Sequence, residues 1–334
     1  MLRILFTLAV IASLLYRCTQ KSYLASDQAQ SVTSLPNSVI ATPEDYIYPD
    51  DSIFRVLSWN VEHFVDPYDN PYIDNKRENV PPQNMPQRVH LLVEALRKAD
   101  ADIVVLQEFE GANYLKKLAY DSLNDMNYRF FADIPSHGWY MNVVLMSRFP
   151  LGLITGYGAA TTPLPDYTTE DGGYETQNNI NTRMWSIDVF PQEDYAFSLT
   201  GVHLKAGGGA RNIAMRKGQI NLLVAQFNRW LAEDPARNML VAGDFNAFLG
   251  SEEIALFTDN ASLKNPFLDL IDPAVFSHPS DAPTRRLDYM LVNQNMAHEV
   301  VPGTVEVKYF FPPDSMRMIS DHLPTVGQFY CREK

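Results

Sequence analysis

Six short polar motifs, each beside an apolar run, are spread from Ser58 to His322. In order they read Ser58-Trp59-Asn60, Gln107-Glu108, Val202-His203-Leu204, Gly243-Asp244-Phe245-Asn246, Arg286-Leu287-Asp288-Tyr289 and Ser320-Asp321-His322. Asp, Glu and Asn supply the hard oxygens that magnesium prefers. Histidine and aspartate are the usual proton-handling groups. Strands ending at one edge of a sheet would bring these motifs together as a metal-dependent hydrolytic site.

Local spacing sharpens the candidates. Asn60 and Glu108 each close an apolar run, so both are expected at strand ends. Glu62 lies two residues past Asn60 and in a strand would share its face, which makes it a further metal candidate. Asp244 and Asn246 are also two apart, and Gly243 permits a close backbone turn. His203 ends an apolar strand and is followed by Lys205 and Gly207-Gly208-Gly209, a run suited to phosphate or to a flexible turn. Asp321 and His322 are adjacent, so an extended chain points them to opposite faces. Arg286 precedes Asp288 by two and could share its face. Trp139 and Tyr140 suit either stacking on a base or core packing.

The elements that must position these groups alternate between strands and helices. Strands are expected at 54–60, 103–106, 142–147, 185–189, 195–203, 239–242 and 288–292, with a final pair bracketing Ser320-Asp321-His322. Val89, Leu92, Val93 and Leu96 follow helical spacing, as do Ile220, Leu223, Val224, Phe227 and Leu231. The pattern is α/β. Residues 66–86 read as a polar loop with five prolines. Residues 160–182 read as a structureless loop, either a solvated insertion or a shaper of substrate access.

Residues 1–18 read as an export signal, with Arg3 before the apolar stretch Ile4–Tyr16, or as an uncleaved N-terminal anchor. Residues 19–52, rich in Ser, Thr, Gln, Asp and Pro, are expected to be a flexible linker, and the domain to span 53–330. Cys18 and Cys331 are the only cysteines, so no internal disulfide framework is possible. A net charge of −13 opposes tight non-specific binding to a polyanion, although a local basic groove remains compatible with it.

The ordered motif set resembles the endonuclease/exonuclease/phosphatase superfamily, with its deoxyribonuclease-I-like fold. The resemblance implies a four-layer sandwich: two mixed sheets face to face, helices outside. It implies a metal held mainly by Glu108, with Asn60 helping and Glu62 and Asp321 as further metal candidates. The cofactor is expected to be Mg2+, with Mn2+ as the substitute. It assigns Asp244 to the attacking water, Asn246 to that water or a phosphoryl oxygen, and His203 to the phosphate. It pairs Asp288 with His322 and leaves Asp321 for the metal or for buttressing His203. Asn142, Arg183 and Lys205 fall where phosphate contacts are expected. The implied activity is that of a phosphodiesterase or nuclease, which the pattern of residues 1–18 would make exported: secreted, periplasmic or N-terminally membrane-anchored. The alternatives are a sphingomyelinase-like or inositol-phosphate phosphatase, or a non-catalytic binding module. Its partner would be a phosphoester (nucleic acid, lipid head group or phosphorylated small molecule), with the protein a monomer.

Overall fold

The protein is described by a computed structural model covering residues 39–136 and 138–331. The expected export signal and most of the expected linker lie outside the described residues. The strands are β1 (Ile53–Phe64), β2 (Ile103–Phe109), β3 (Phe130–Asp133), β4 (Asn142–Ser147), β5 (Leu151–Gly156), β6 (Thr162–Pro163), β7 (Thr176–Gln177), β8 (Met184–Gln192), β9 (Tyr195–His203), β10 (Met239–Asp244), β11 (Phe267–Asp269), β12 (Asp288–Asn293), β13 (Glu306–Val307) and β14 (Thr325–Tyr330). The α-helices are α1 (Lys76–Asn79), α2 (Met85–Ala99), α3 (Ala112–Ser122), α4 (Ala210–Glu233), α5 (Glu252–Thr258), α6 (Gln294–Ala297) and α7 (Pro313–Ile319).

Two six-stranded sheets form, in the orders β13-β14-β1-β2-β4-β3 and β11-β12-β10-β9-β8-β5. Each has one parallel pair at its centre, β1 with β2 and β9 with β10, flanked by antiparallel neighbours. Side chains alternate across each strand. Phe54, Val56, Ile103 and Val105 of the first sheet meet Trp185, Ile187, Phe197, Leu199, Leu240 and Met290 of the second in one core between them. The intervening residues face outward. Leu57, Trp59, Val104 and Leu106 pack with α2, α3 and α7, while Val202, Val241, Tyr289 and Leu291 pack with α4 and α5. The expected four-layer sandwich is therefore present.

Topology explains why scattered motifs meet. The parallel pairs end together, so Asn60 faces Gln107 in register and Asp244 faces His203. Antiparallel neighbours begin where those pairs end: Asp288 pairs with Asp244, Thr325 with Ser58, Asn142 with Phe109, and Met184 with Val202. Along the inward face, apolar residues give way to Ser58, Asn60, Gln107, His203, Asp244 and Asp288. The intersheet core thus opens into a polar site at one edge.

Three segments differ from expectation. Residues 160–182 are not structureless: β6 and β7 form a hairpin against α4, where a Cβ on Gly218 would lie 2.3 Å from the Pro163 carbonyl. The 66–86 segment contains α1 and is ordered by Asx turns at Asp66 and Asn70. Residues 39–52, within the expected linker, lie on the domain. Ile40 bridges to Gly152, Asp45 pairs with Arg129, and Gln192 donates to the carbonyls of Pro49 and Asp51. Among the described residues no helix is long and apolar enough to cross a membrane.

Candidate active site

Glu108 is placed by backbone distortion rather than by simple strand geometry. Register shifts interrupt β1 between Asn60 and Phe64, and β2–β4 pairing between Leu106 and Phe109. Glu62, His63 and Glu108 take positive φ values of 50°, 52° and 57°. Non-glycine residues in that region carry strain and persist where surrounding contacts over-determine them. Here the buried Arg88 guanidinium donates to the carbonyls of Val61, Glu62 and Ile319, tying the bulge to the end of α7.

Glu108 accepts from Asn60 Nδ2 (3.3 Å) and from the His63 backbone N–H (3.1 Å). The Nε2 atoms of His63 and His203 lie 3.5 and 3.6 Å from its carboxylate. Asn60 Nδ2 also donates to Asp244 Oδ2 (3.0 Å), so one amide joins the two carboxylates across the sheets. Its Oδ1 accepts from the Glu62 N–H, which fixes the amide orientation. Asn246 turns back, at φ 50°, to donate to both Asp244 oxygens. Asp244 and Asn246 therefore converge through a turn past the end of β10, not along a strand face. Gly243, at φ 147°, is required there: a Cβ would lie 1.9 Å from the Val202 carbonyl oxygen.

His322 Nδ1 donates to Asp288 Oδ2 at 2.8 Å, the pairing the resemblance implies. Its Nε2 lies 3.9 Å from Asp244. Ser277 Oγ donates to the same Asp288 oxygen (2.6 Å), while Asp288 Oδ1 is buried without a partner. Burial opposes charge on His322, but Asp288, Asp244 and Asp321 outweigh it and raise its pKa to about 10. His203 goes the other way: burial, then the charges of Arg183 and His322, hold it well below 6.5, so it is neutral. Burial pushes Asp244 up to about 7 and Glu108 above the usual carboxylate range.

Other candidates fall on the rim or elsewhere. Glu62 does not share a face with Asn60, because the bulge turns it away; it pairs with Arg317 (2.6 Å) and accepts from the Asp321 N–H. Asp321 does not buttress His203. It lies 3.4 Å from His278 Nε2, and burial, which would raise its pKa, is outweighed by His278, His322 and Arg317, leaving it at about 2. Arg183 donates to the carbonyls of His203 and Leu204, and its charge bears on Glu108 and Asp244. Lys205 is held by its backbone N–H to Gln219, and its ammonium donates to the Ala206 carbonyl. Arg286 turns from the site to Asp269 and the carbonyls of Ile271 and Asp272. Asn142 is buried near Glu110.

Sequence reasoning missed His63, His278, Ser277 and Arg88. None sits in a recognisable motif, although His63 is three residues past Asn60. Tyr140 is buried, its hydroxyl 2.8 Å from His63 Nδ1. With the hydroxyl donating to Nδ1, His63 would present its Nε2–H toward Glu108, 3.5 Å away.

The donor set fits a divalent cation. Burial disfavours charge on both Glu108 and Asp244, and Asp288 carries an orphaned oxygen, so the site holds more buried anionic capacity than its cations balance. Among the described residues, Asp244, Asp288 and His322 offer ligand atoms within 4.8 Å of one another, as do His278, Asp321 and His322.

A model of the Endonuclease/Exonuclease/phosphatase family matches residues 57–322. No curated protein matches the chain. The human Nocturnin catalytic domain with bound sulfate is similar in structure, with a TM-score of 0.55 at 18% identity, over 89% of this chain and 97% of that one. D. rerio TDP2 complexed with single strand DNA product gives 0.53 at 18%, over 84% and 99%. An endonuclease/exonuclease/phosphatase family protein from Bacteroides thetaiotaomicron gives 0.53 at 16%, over 84% and 99%. At these identities the likeness is one of fold.

Proposed function

Because the chain belongs to the endonuclease/exonuclease/phosphatase family, whose members are generally hydrolases of phosphoesters, we propose that it is an exported magnesium-dependent phosphodiesterase. The observation that carries this is the meeting of Glu108, His203 and Asp244, from strand ends of two sheets, with His322, from the loop before β14, within hydrogen-bonding and ion-pairing reach.

Glu108 and Asn60 would hold the cation, with Asp244 and Asp321 nearby. When bound, it supplies Lewis-acid stabilisation of charge on a phosphoryl oxygen. Asp244, steadied by Asn60 and Asn246, orients the attacking water and takes its proton. His322 is cationic and anchored on Asp288, so it hydrogen-bonds a phosphoryl oxygen and can give a proton to the leaving group. His203, neutral and buried, can only donate or accept a hydrogen bond. Arg183 adds positive charge behind His203. Export rests on the sequence pattern of residues 1–18, and separating secreted from cell-associated protein in the producing cell tests it.

The test of the reaction is hydrolysis of bis(p-nitrophenyl) phosphate, p-nitrophenyl phosphate, and single- and double-stranded DNA, with magnesium or chelator, by the protein and by His322→Ala. Chelator-sensitive diester cleavage lost in the variant supports the proposal. Turnover of the monoester alone replaces it with a phosphatase. No turnover of any of them by folded, magnesium-binding protein refutes it.

A further inference from the structure

His63 lies against Glu108, yet neither water attack nor protonation of the leaving group uses it. It sits in the β1 bulge at φ 52°, a conformation that non-glycine residues adopt at a cost. Arg88 ties that bulge through the Val61 and Glu62 carbonyls, a fastening independent of the His63 ring.

The two oxygens of Glu108 are addressed by different residues. Oε1 accepts from Asn60 Nδ2 and has His203 Nε2 at 3.6 Å. Oε2 has two contacts from His63, the backbone N–H at 3.1 Å and ring Nε2 at 3.5 Å. The other side of the ring is set by Tyr140, whose hydroxyl is 2.8 Å from Nδ1. Tyr140 is 1% exposed and its ring packs near those of His63 and Trp139, so that hydroxyl is a fixed point. His63 therefore joins a buried phenol to the Glu108 carboxylate through its two ring nitrogens.

Chemistry selects the hydrogen's place. With the phenol donating to Nδ1, Nε2 carries a hydrogen and turns it to Oε2. A cationic ring would present the same Nε2–H. The remaining tautomer would set an Nε2 lone pair against a carboxylate oxygen, acceptor facing acceptor. The ring contact is long for a hydrogen bond, so the backbone N–H is the stronger of the two. The ring fills the space into which Oε2 would otherwise rotate. An ionised carboxylate has about four lone-pair sites, so these contacts leave others for a cation.

We propose that His63 is a positioning residue for the divalent cation: its ring, set by the Tyr140 hydroxyl, fixes the Glu108 carboxylate in the orientation that binds the ion. The inference deepens the proposed function and rests on Glu108 being the metal ligand.

The test is magnesium binding by calorimetry on the full chain, beside the melting temperature of the metal-free protein. Tyr140→Phe, which removes only the hydroxyl, and His63→Asn are expected to weaken magnesium binding roughly tenfold or more, the scale for residues that orient metal ligands. His63→Gln carries its amide nitrogen close to the place of Nε2 and should keep part of the affinity. Asn reaches only the place of Nδ1. Backbone strain ranks these two the other way, because Asn tolerates positive φ better than Gln. The expected result is thus a Gln variant that binds magnesium more tightly than the Asn variant while melting lower. An Asn variant that binds as tightly as the Gln variant overturns the proposal, as does wild-type affinity in Tyr140→Phe. Either result, with binding lost in Glu108→Gln, leaves the phosphodiesterase reading standing. Glu108→Gln that binds magnesium as tightly as wild type overturns both.

Discussion

Replacing Asp288 by Asn tests the central pair with little change of shape. The amide oxygen can still accept from His322 Nδ1 and Ser277 Oγ, so only the charge is lost. Raising His322 from 6.5 to about 10 corresponds to about 5 kcal/mol in favour of the imidazolium, and Asp288 leads the groups that raise it. Losing the largest of those contributions lowers the His322 pKa and weakens its positive charge near neutral pH. At that pH, kcat/KM for a p-nitrophenyl diester is expected to fall roughly a hundredfold, the scale of a positioned acid. Stability offers a second readout. A pKa raised by folding contributes stability fully below 6.5 and loses it as pH rises toward 10. The melting difference between wild type and Asp288→Asn should therefore be widest near pH 6 and nearly closed at pH 10. A variant with a wild-type rate and a melting gap independent of pH would refute the assignment of His322 as the charged group.

Three further outcomes follow from the geometry. Glu108→Gln should lose magnesium-dependent hydrolysis by roughly a thousandfold and lose calorimetric magnesium binding. Because burial disfavours that carboxylate, the same variant should melt no lower than wild type without metal. Gly243→Ala should destabilise by more than about 4 kcal/mol in urea unfolding or fail to fold, because its Cβ meets the Val202 carbonyl on the neighbouring strand. Arg88→Met should cost about 3 kcal/mol by leaving the carbonyls of Val61 and Ile319 without their donor. Its folded fraction should show reduced kcat, since the bulge that presents Glu108 loses its tie.

Most strands were legible because apolar runs of β-branched and aromatic residues stop at a polar motif, as at Ile103–Leu106 before Gln107-Glu108. The two long helices were legible from period. What escaped is non-periodic. The left-handed turn at Glu62 and His63 has no glycine to announce it, so spacing by twos misplaced Glu62. His278 and Ser277 reach the site from a loop through contacts 43 or fewer residues away in sequence, with no flanking apolar run to mark them. The hairpin in 160–182 is held by α4 rather than by its own composition, so no local signal marks it. Strand alternation would have pointed Asp321 and His322 to opposite faces, but both lie in the loop before β14 and their side chains come within 3.9 Å, while the partner His278 was invisible from sequence.

The inward face that is apolar at one end of each central strand and reactive at the other has a consequence for quality control. Position parity assigns every residue of β9 and β10 either to the interior or to the helices. A slip of one residue in pairing would bury His203 and Asp244 against α4 and aim Val202 and Gly243 at the substrate. The misaligned molecule would then lose its apolar interior and its reactive groups in the same step. Catalytic competence is thus a readout of correct strand alignment, and active-site titration would count the properly paired molecules in a refolded sample directly.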